Sequence, residues 1–252
     1  MNIRFGYKTD VGSYRSNNQD YFEFATNNYN NYLAVVCDGM GGHLHGEVAS
    51  QLVVNSLVNH FQNVNFSGWN DEEVNQWLRK TVISIQEEMV NYAKINPDTS
   101  DMGTTLVAAL IANQKVYVVN VGDSRLYKLH HNKIYQITTD QNMWNSTELK
   151  DKQELEFQGQ YKKQYNTNTF WKVLTSALGP TKTLKIDTYV IEDIMGTYIL
   201  TTDGIHDYVD EYDFIDALTS NNKLNDKVKI LIDRALENLS TDNLTGLIFE
   251  IS

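Results

Sequence analysis

Apolar residues run continuously or alternate over strand lengths at 32–37, 106–111, 116–121, 126–129, 134–137, 188–191, 198–201 and 247–251. From Val116 to Ile137 the chain reads VYVVNVGDSRLYKLHHNKIYQI. Breaks at GDSR and HHNK predict three strands in an antiparallel meander. Between such segments the period changes. Val48, Leu52, Val53, Leu57 and Phe61 share one helical stripe. Val74, Trp77, Leu78, Val82, Ile85 and Met89 form a second, and Val228, Leu231, Ile232, Ala235 and Leu239 a third. Asn70 and Glu73 have capping-box spacing, with Asn in place of the usual hydroxyl residue. Strand meanders mixed with three long amphipathic helices predict a layered α+β domain in which helices cover sheets, an arrangement that simple βαβ alternation does not explain. No repeat or linker divides the chain. Residues 141–170 are polar, rich in Asn, Gln and Lys, and weakly periodic, so they read as an excursion from the core.

With 252 residues, 41% of them hydrophobic, the chain fits one large domain or two small ones. No run of eighteen apolar residues occurs, and MNIRFGYKTDVG lacks the features of a secretory signal, so a soluble, cytoplasmic protein is expected. The single cysteine, Cys37, cannot build a disulfide framework or a thiolate zinc cluster. It sits in an apolar run and reads as a core thiol. A net charge of −11 argues against a broad grip on nucleic acid or anionic membrane. Most of that charge reads as solvated surface, but carboxylates gathered in space can hold divalent cations.

Residues 35–47, VVCDGMGGHLHGE, end an apolar run at Asp38 and Gly39. Asp203 and Gly204 repeat the device after YILTT. A strand end fixes a carboxylate, and glycine lets the backbone turn sharply or approach a ligand. Asp242 precedes the terminal strand, Asp20 precedes YFEF, and Asp101 opens DMGTT before LVAALI. If a layered fold gathers these ends, the carboxylates raise one another's pKa unless a cation compensates, and oxygen ligands suit Mg²⁺ or Mn²⁺. Each Asp-Gly pair alone is equally a turn, and spacing does not demonstrate convergence. His43 and His45 offer a partial zinc site as an alternative. A nucleotide-binding loop is excluded, since DGMGG has neither the Walker lysine nor G-x-G-x-x-G spacing.

The ordered set RSNNQD, VVCDGMGGHLHGEVAS, DMGTTLVAALI, VYVVNVGDSRLYKL, TSALG, LTTDGIHDYV and TDNLTGLIFEI resembles the metal-dependent protein phosphatase family, protein phosphatase type 2C, in its compact bacterial form. The resemblance spans nearly the whole chain. It implies two packed antiparallel β-sheets flanked by α-helices, one domain over residues 1–252, and a flap at about 141–170. The implied activity is Mg²⁺/Mn²⁺-dependent hydrolysis of phosphoserine and phosphothreonine in proteins by a water activated between two metals. An inactive binding or regulatory module on the same fold is the alternative.

Residue by residue, the resemblance implies that Asp38 bridges two metals, Gly39 offers a carbonyl ligand, Asp203 and Asp242 hold the second metal, and Asp20 acts through water. Arg15 would bind the substrate phosphate. Asp101, Asp203 and Asp207 would support a third ion. No metal falls to His43 or His45; His206 is a minor candidate for proton transfer. Asp123 and Arg125 of GDSR read as a structural pair at a turn. Gln19 stands where many members have Glu, and Gln141 where relatives commonly have His. Phosphorylated proteins and a serine/threonine kinase acting on the same substrates are the implied partners, with no nucleic acid or membrane.

Overall fold

The computed structural model describes residues 1–40, 45–148, 151–152 and 170–252. Strand β3 (Tyr32–Cys37) shows why the central strands read as unbroken apolar runs. Leu33, Val35 and Cys37 join a core shared with helices, whereas Ala34 and Val36 join a core between two sheets. With both faces covered, alternation disappears from the sequence.

One sheet has the order β1 (Ile3–Asp10), β12 (Leu244–Ile251), β11 (Gly196–Thr201), β8 (Arg125–His130), β9 (Lys133–Gln136). The other runs β10 (Asp187–Ile191), β7 (Lys115–Val121), β6 (Leu106–Ala112), β3, β2 (Tyr21–Thr26). All of these pairings are antiparallel. A two-stranded ribbon joins β4 (Gly39–Met40) to β5 (Gly103–Thr104). Val107, Ala109, Val116 and Val118 face Leu126, Tyr198, Leu247 and Phe249 across the sandwich.

Helices α1 (Gly46–Phe61) and α2 (Asp71–Ile95) cover the second sheet. After the short α3 (Met143–Ser146), the first sheet is covered by α4 (Asp203–His206), α5 (Glu211–Thr219) and α6 (Leu224–Glu237). The expected four-layer α+β sandwich is the fold this chain adopts. The capping box of α2 forms as predicted: Asn70 Oδ1 accepts from Glu73 N at 3.0 Å, and Glu73 Oε2 accepts from Asn70 N at 2.7 Å. The HHNK break is a two-residue hairpin turn, with His131 and Asn132 both at positive φ (48° and 56°).

Three features depart from the sequence pattern. Strands β1 and β2 lie at sheet edges with half-exposed faces, so neither shows a clean apolar period. Helix α5 was not expected from the stripes. Leu239 does not extend the third stripe, because α6 stops at Glu237 and Leu239 takes φ 64° with 69% of its surface exposed.

Candidate active site

The carboxylates converge because two pairs of strand ends meet at one end of the sandwich. Tyr21 lies opposite Cys37 in the β2–β3 ladder, which places Asp20 and Asp38 on adjacent chains just beyond it. In the other sheet, Thr201 pairs with Gly246 and Thr202 N donates to Thr245 O at 3.1 Å, bringing Asp203 beside the 242–243 turn. Side chains join the two pairs. Thr202 Oγ1 donates to Asp20 Oδ2 at 2.9 Å, and Asn243 Oδ1 accepts from Gln19 N at 2.9 Å. Asn243 Nδ2 donates to the carbonyls of Val11 and Asn17.

Glycine is required where these chains pack. A Cβ at Gly204 would stand 1.9 Å from Asn243 O, and one at Gly39 would stand 2.2 Å from Gly46 O. The Asp-Gly pairs therefore do more than turn the chain: they let a carboxylate-bearing loop lie directly on the neighbouring backbone.

Asp38 is held by the DMGTT segment. Its carbonyl accepts from Thr104 Oγ1 (2.8 Å) and Thr105 N (2.9 Å), and its N–H donates to Thr105 Oγ1 (2.9 Å). Thr105 Oγ1 in turn bonds Ser124 Oγ at 2.7 Å. The side chains of Arg15, Asp38, Asp203 and Asp242 line a cavity of about 350 Å³, with Gly39 at its wall. Asp20 lies behind them at 7% exposure. Arg15 Nη2 donates to Asp242 Oδ2 at 2.7 Å.

Electrostatically the cluster is unbalanced. Burial, then the field of Asp20 and its fellow carboxylates, pushes Asp38 well above the usual carboxylate range. Burial lifts Asp20 to about 7 and Asp203 to about 6, with neighbouring aspartates adding to both. Asp20 Oδ1 and Asp203 Oδ1 are buried without a hydrogen-bond partner. Buried oxygen acceptors with unspent lone pairs and mutual repulsion fit a hard divalent cation. Among the described residues, no three His, Cys, Asp or Glu side chains form a closed metal-binding group. An ion here would draw on the Gly39 carbonyl and water as well as carboxylates, as Mg²⁺ and Mn²⁺ commonly do.

One expected site residue lies elsewhere, and one residue read as structural faces the cleft. Asp101 is not in the cleft: its side chain is 80% exposed and pairs with Lys182 Nζ at 2.6 Å. The contribution of DMGTT is its threonines. Asp123, read from sequence as the partner of Arg125, makes no such pair. Arg125 instead binds Asp140 through Nε (2.9 Å) and Nη2 (2.6 Å), a bidentate fork that leaves Asp123 facing the cleft. Burial first, then Asp203, Asp140 and Asp207, raises the Asp123 pKa well above its ordinary value. A sequence signal for it existed: VYVVNVGD ends an apolar strand at an aspartate, as the segments before Asp38 and Asp203 do.

Asp207 borders an adjoining cavity of about 450 Å³, to which Asp123 also contributes, and accepts from Lys172 Nζ at 2.6 Å. His206 is a buried histidine whose Nδ1 meets Thr201 Oγ1 at 2.9 Å, and burial lowers its pKa well below the ordinary value. His45 precedes α1 at φ 94° and makes no side-chain cap, while His43 lies outside the described residues. Gln141, 2% exposed, braces the β7–β8 turn by accepting from Gly122 N at 2.9 Å. Gln19 Nε2 donates to Glu47 Oε2 at 3.3 Å. Cys37 is buried, with its pKa raised by burial, in keeping with a core thiol.

Residues 13–240 match the family model described as protein phosphatase 2C. The serine/threonine phosphatase stp of Listeria welshimeri is 34% identical over 246 residues, covering 97% of this chain and 94% of its own. The serine/threonine phosphatase Stp1 from Staphylococcus aureus superposes with a TM-score of 0.83 at 31% identity, over 100% of this chain and 96% of that one. The catalytic domain of the phosphatase PstP, in complex with two manganese ions, superposes with a TM-score of 0.76 at 26% identity, over 98% and 97% of the two chains. The match to the family model covers most of the sequence and the same fold recurs in these phosphatases; the chain belongs to the protein phosphatase 2C family.

Proposed function

We propose that this serine/threonine phosphatase hydrolyses phosphoserine and phosphothreonine in proteins with two Mg²⁺ or Mn²⁺ ions held by the strand-end carboxylates. The observation that carries the metal assignment is the meeting of Asp20, Asp38 and Asp203, with unpartnered buried oxygens, at one end of the sandwich. Asp38 would bridge the ions, the Gly39 carbonyl would serve one, Asp203 and Asp242 the other, and Asp20 would act through water. A third ion, implied at Asp101, Asp203 and Asp207, would draw here on Asp203 and Asp207, because Asp101 turns away to Lys182. Bound ions would lower the pKa of an attacking water and neutralise charge on the phosphoryl oxygens.

This chain's own residues supply position and selectivity. Arg15, paired with Asp242 at the cleft wall, would turn its guanidinium to a substrate phosphate. Asp38 is fixed through its backbone by Thr104 and Thr105, so its carboxylate pays little reorganisation on binding a cation. An inactive binding module is disfavoured by the presence of Asp38, Asp203 and Asp242 together in the cleft.

Residues 1–252 would act as one phosphatase domain, with 141–170 as a flap governing access of large substrates. Its described ends support this: Met143 N donates to Val173 O at 2.9 Å, and Thr175 N to Gln141 O at 2.8 Å. The excursion thus leaves and returns beside the cleft, where Lys172 and Leu174 line the wall. The rest of the segment, 149–150 and 153–169, lies outside the described residues. The reaction supplying the substrate is that of a serine/threonine protein kinase, and the proposed compartment is the cytoplasm. No described helix is long and apolar enough to cross a membrane. Anomalous scattering from crystals grown with Mn²⁺ tests the assignment. Two peaks, both within ligand distance of Asp38, are expected; peaks only at surface carboxylates would reject it.

A further inference from the structure

The chain that returns to the core beside the cleft does so as a short extended segment with one edge unused. Leu174 faces Asn142 in an antiparallel bridge, closed on either side by the Met143–Val173 and Thr175–Gln141 hydrogen bonds. In such a pair the two facing residues turn their own N–H and C=O outward. Those of Leu174 make no hydrogen bond among the described residues. An open strand edge of this kind is a template for an added strand.

Leu174 also stands between two cavities. With Met40 it lines both the carboxylate cleft and a neighbouring cavity of about 410 Å³, to which Val173 and Ala177 add apolar surface. The polar groups around this second cavity are largely spent. Lys182 Nζ pairs with Asp101 at 2.6 Å, while Ser176 Oγ donates to Lys185 O at 3.1 Å and accepts from Lys185 N at 2.9 Å. Thr175 Oγ1 meets Ser146 Oγ at 3.0 Å. What the cavity still offers is apolar, including Val173, half of whose surface is exposed.

We infer that the substrate polypeptide adds a short strand to the Leu174 edge, sets its phosphoresidue in the carboxylate cleft, and places a neutral apolar side chain from a neighbouring position in the cavity lined by Met40 and Ala177. The inference rests on the phosphatase reading of the cleft and extends it from the phosphate to the chain that carries it. Main-chain bonds to Leu174 accept any sequence, and the cavity selects among them. A lysine in the cavity would lose water and meet only another cation, Lys182, since no carboxylate lines it among the described residues.

Steady-state kinetics with Mn²⁺ on phosphothreonine peptides, alongside a small aryl phosphate, test this. One peptide series replaces, in turn, each amide flanking the phosphothreonine by an ester, which removes a single donor and leaves the side chains. A second series puts Leu or Lys at each flanking position. At least one ester should lower kcat/KM by about three- to tenfold, the loss of one hydrogen bond. At one position Leu should be favoured over Lys by about tenfold or more. Val173→Asp should reduce that preference to under about threefold while keeping aryl phosphate turnover within about twofold of wild type, which also shows the variant to be folded. Insensitivity to every ester, or equal rates for the Leu and Lys peptides at every position, overturns the inference. So does a Leu preference left intact in Val173→Asp. Should that variant be inactive on the aryl phosphate, the two peptide series on wild type decide. Wild-type protein that hydrolyses neither the peptides nor the aryl phosphate would overturn the phosphatase reading itself, and this inference with it.

Discussion

Arg15 and Asp242, 227 positions apart in sequence, face each other across the cleft with Nη2 2.7 Å from Oδ2. The pair is solvent-accessible, with side-chain exposures of 52% and 31%, so it contributes little to stability and its guanidinium is free to be re-aimed. Removing a charge-assisted contact to phosphate costs about 1.5–3 kcal/mol. Arg15→Ala should therefore raise KM for a phosphothreonine peptide by roughly ten- to a hundredfold, with a smaller effect on Mn²⁺ affinity. Steady-state kinetics alongside metal titration would check this, and an unchanged KM would remove Arg15 from phosphate binding.

Asp38 carries opposite consequences for stability and activity. In metal-free protein its charge is disfavoured by burial and by Asp20 and Asp203. Asp38→Asn should leave the Tm in EDTA unchanged or raised, yet abolish both the Mn²⁺-induced rise in Tm and metal-dependent turnover. Thermal unfolding with and without Mn²⁺ gives the comparison. A lowered Tm in EDTA with the Mn²⁺ response intact would show that Asp38 is structural.

A pH dependence of unusual sign follows from Asp20. Burial raises its pKa to about 7 in the folded, metal-free chain, from 3.8. Between about pH 4 and 7 the folded state therefore binds more protons than the unfolded state, and this group's contribution to stability is lost as pH rises through that window. His206, whose pKa is lowered by burial, contributes in the opposite direction below about its ordinary 6.5. The Asp20 part is isolated as the stability of wild type minus that of Asp20→Asn, measured by urea unfolding in EDTA. That difference should fall from pH 4.5 to 7.5; a constant or rising difference would contradict the assignment.

The polar segment should separate chemistry from choice of substrate. Replacing residues 153–166 by a short Gly/Ser linker should preserve hydrolysis of a small aryl phosphate to within about threefold, while changing kcat/KM for phosphoproteins more strongly. Both assays on one folded preparation decide the matter. Equal proportional losses would mean that the segment supports the metal cleft instead.

The layered fold was legible because strands buried on both faces and amphipathic helices leave different periods. Strands β1 and β2 were not, since edge strands with half-exposed faces carry no such signature. At the site, Asp38 and Asp203 could be picked out by their place at the ends of apolar runs. Asp123 meets the same criterion, yet GDSR equally offers it as the partner of Arg125, because sequence does not reveal that Asp140, fifteen residues away from Arg125, takes the guanidinium. Asp101 shows the converse. Adjacent Gly103 and Thr104 enter the ribbon at Asp38, whereas the Asp101 side chain points to solvent and Lys182. The contacts joining the two sheets, Thr202 to Asp20 and Asn243 to Gln19, span about two hundred residues and leave no local pattern.

Phosphate release from a phosphothreonine peptide by EDTA-stripped protein, measured before and after Mn²⁺ is restored, tests the central claim most directly. The account predicts no turnover without metal, recovery with Mn²⁺, and no recovery in Asp38→Asn at equal fold content. Turnover that persists at full rate in EDTA, or that Mn²⁺ restores equally to Asp38→Asn, would contradict it.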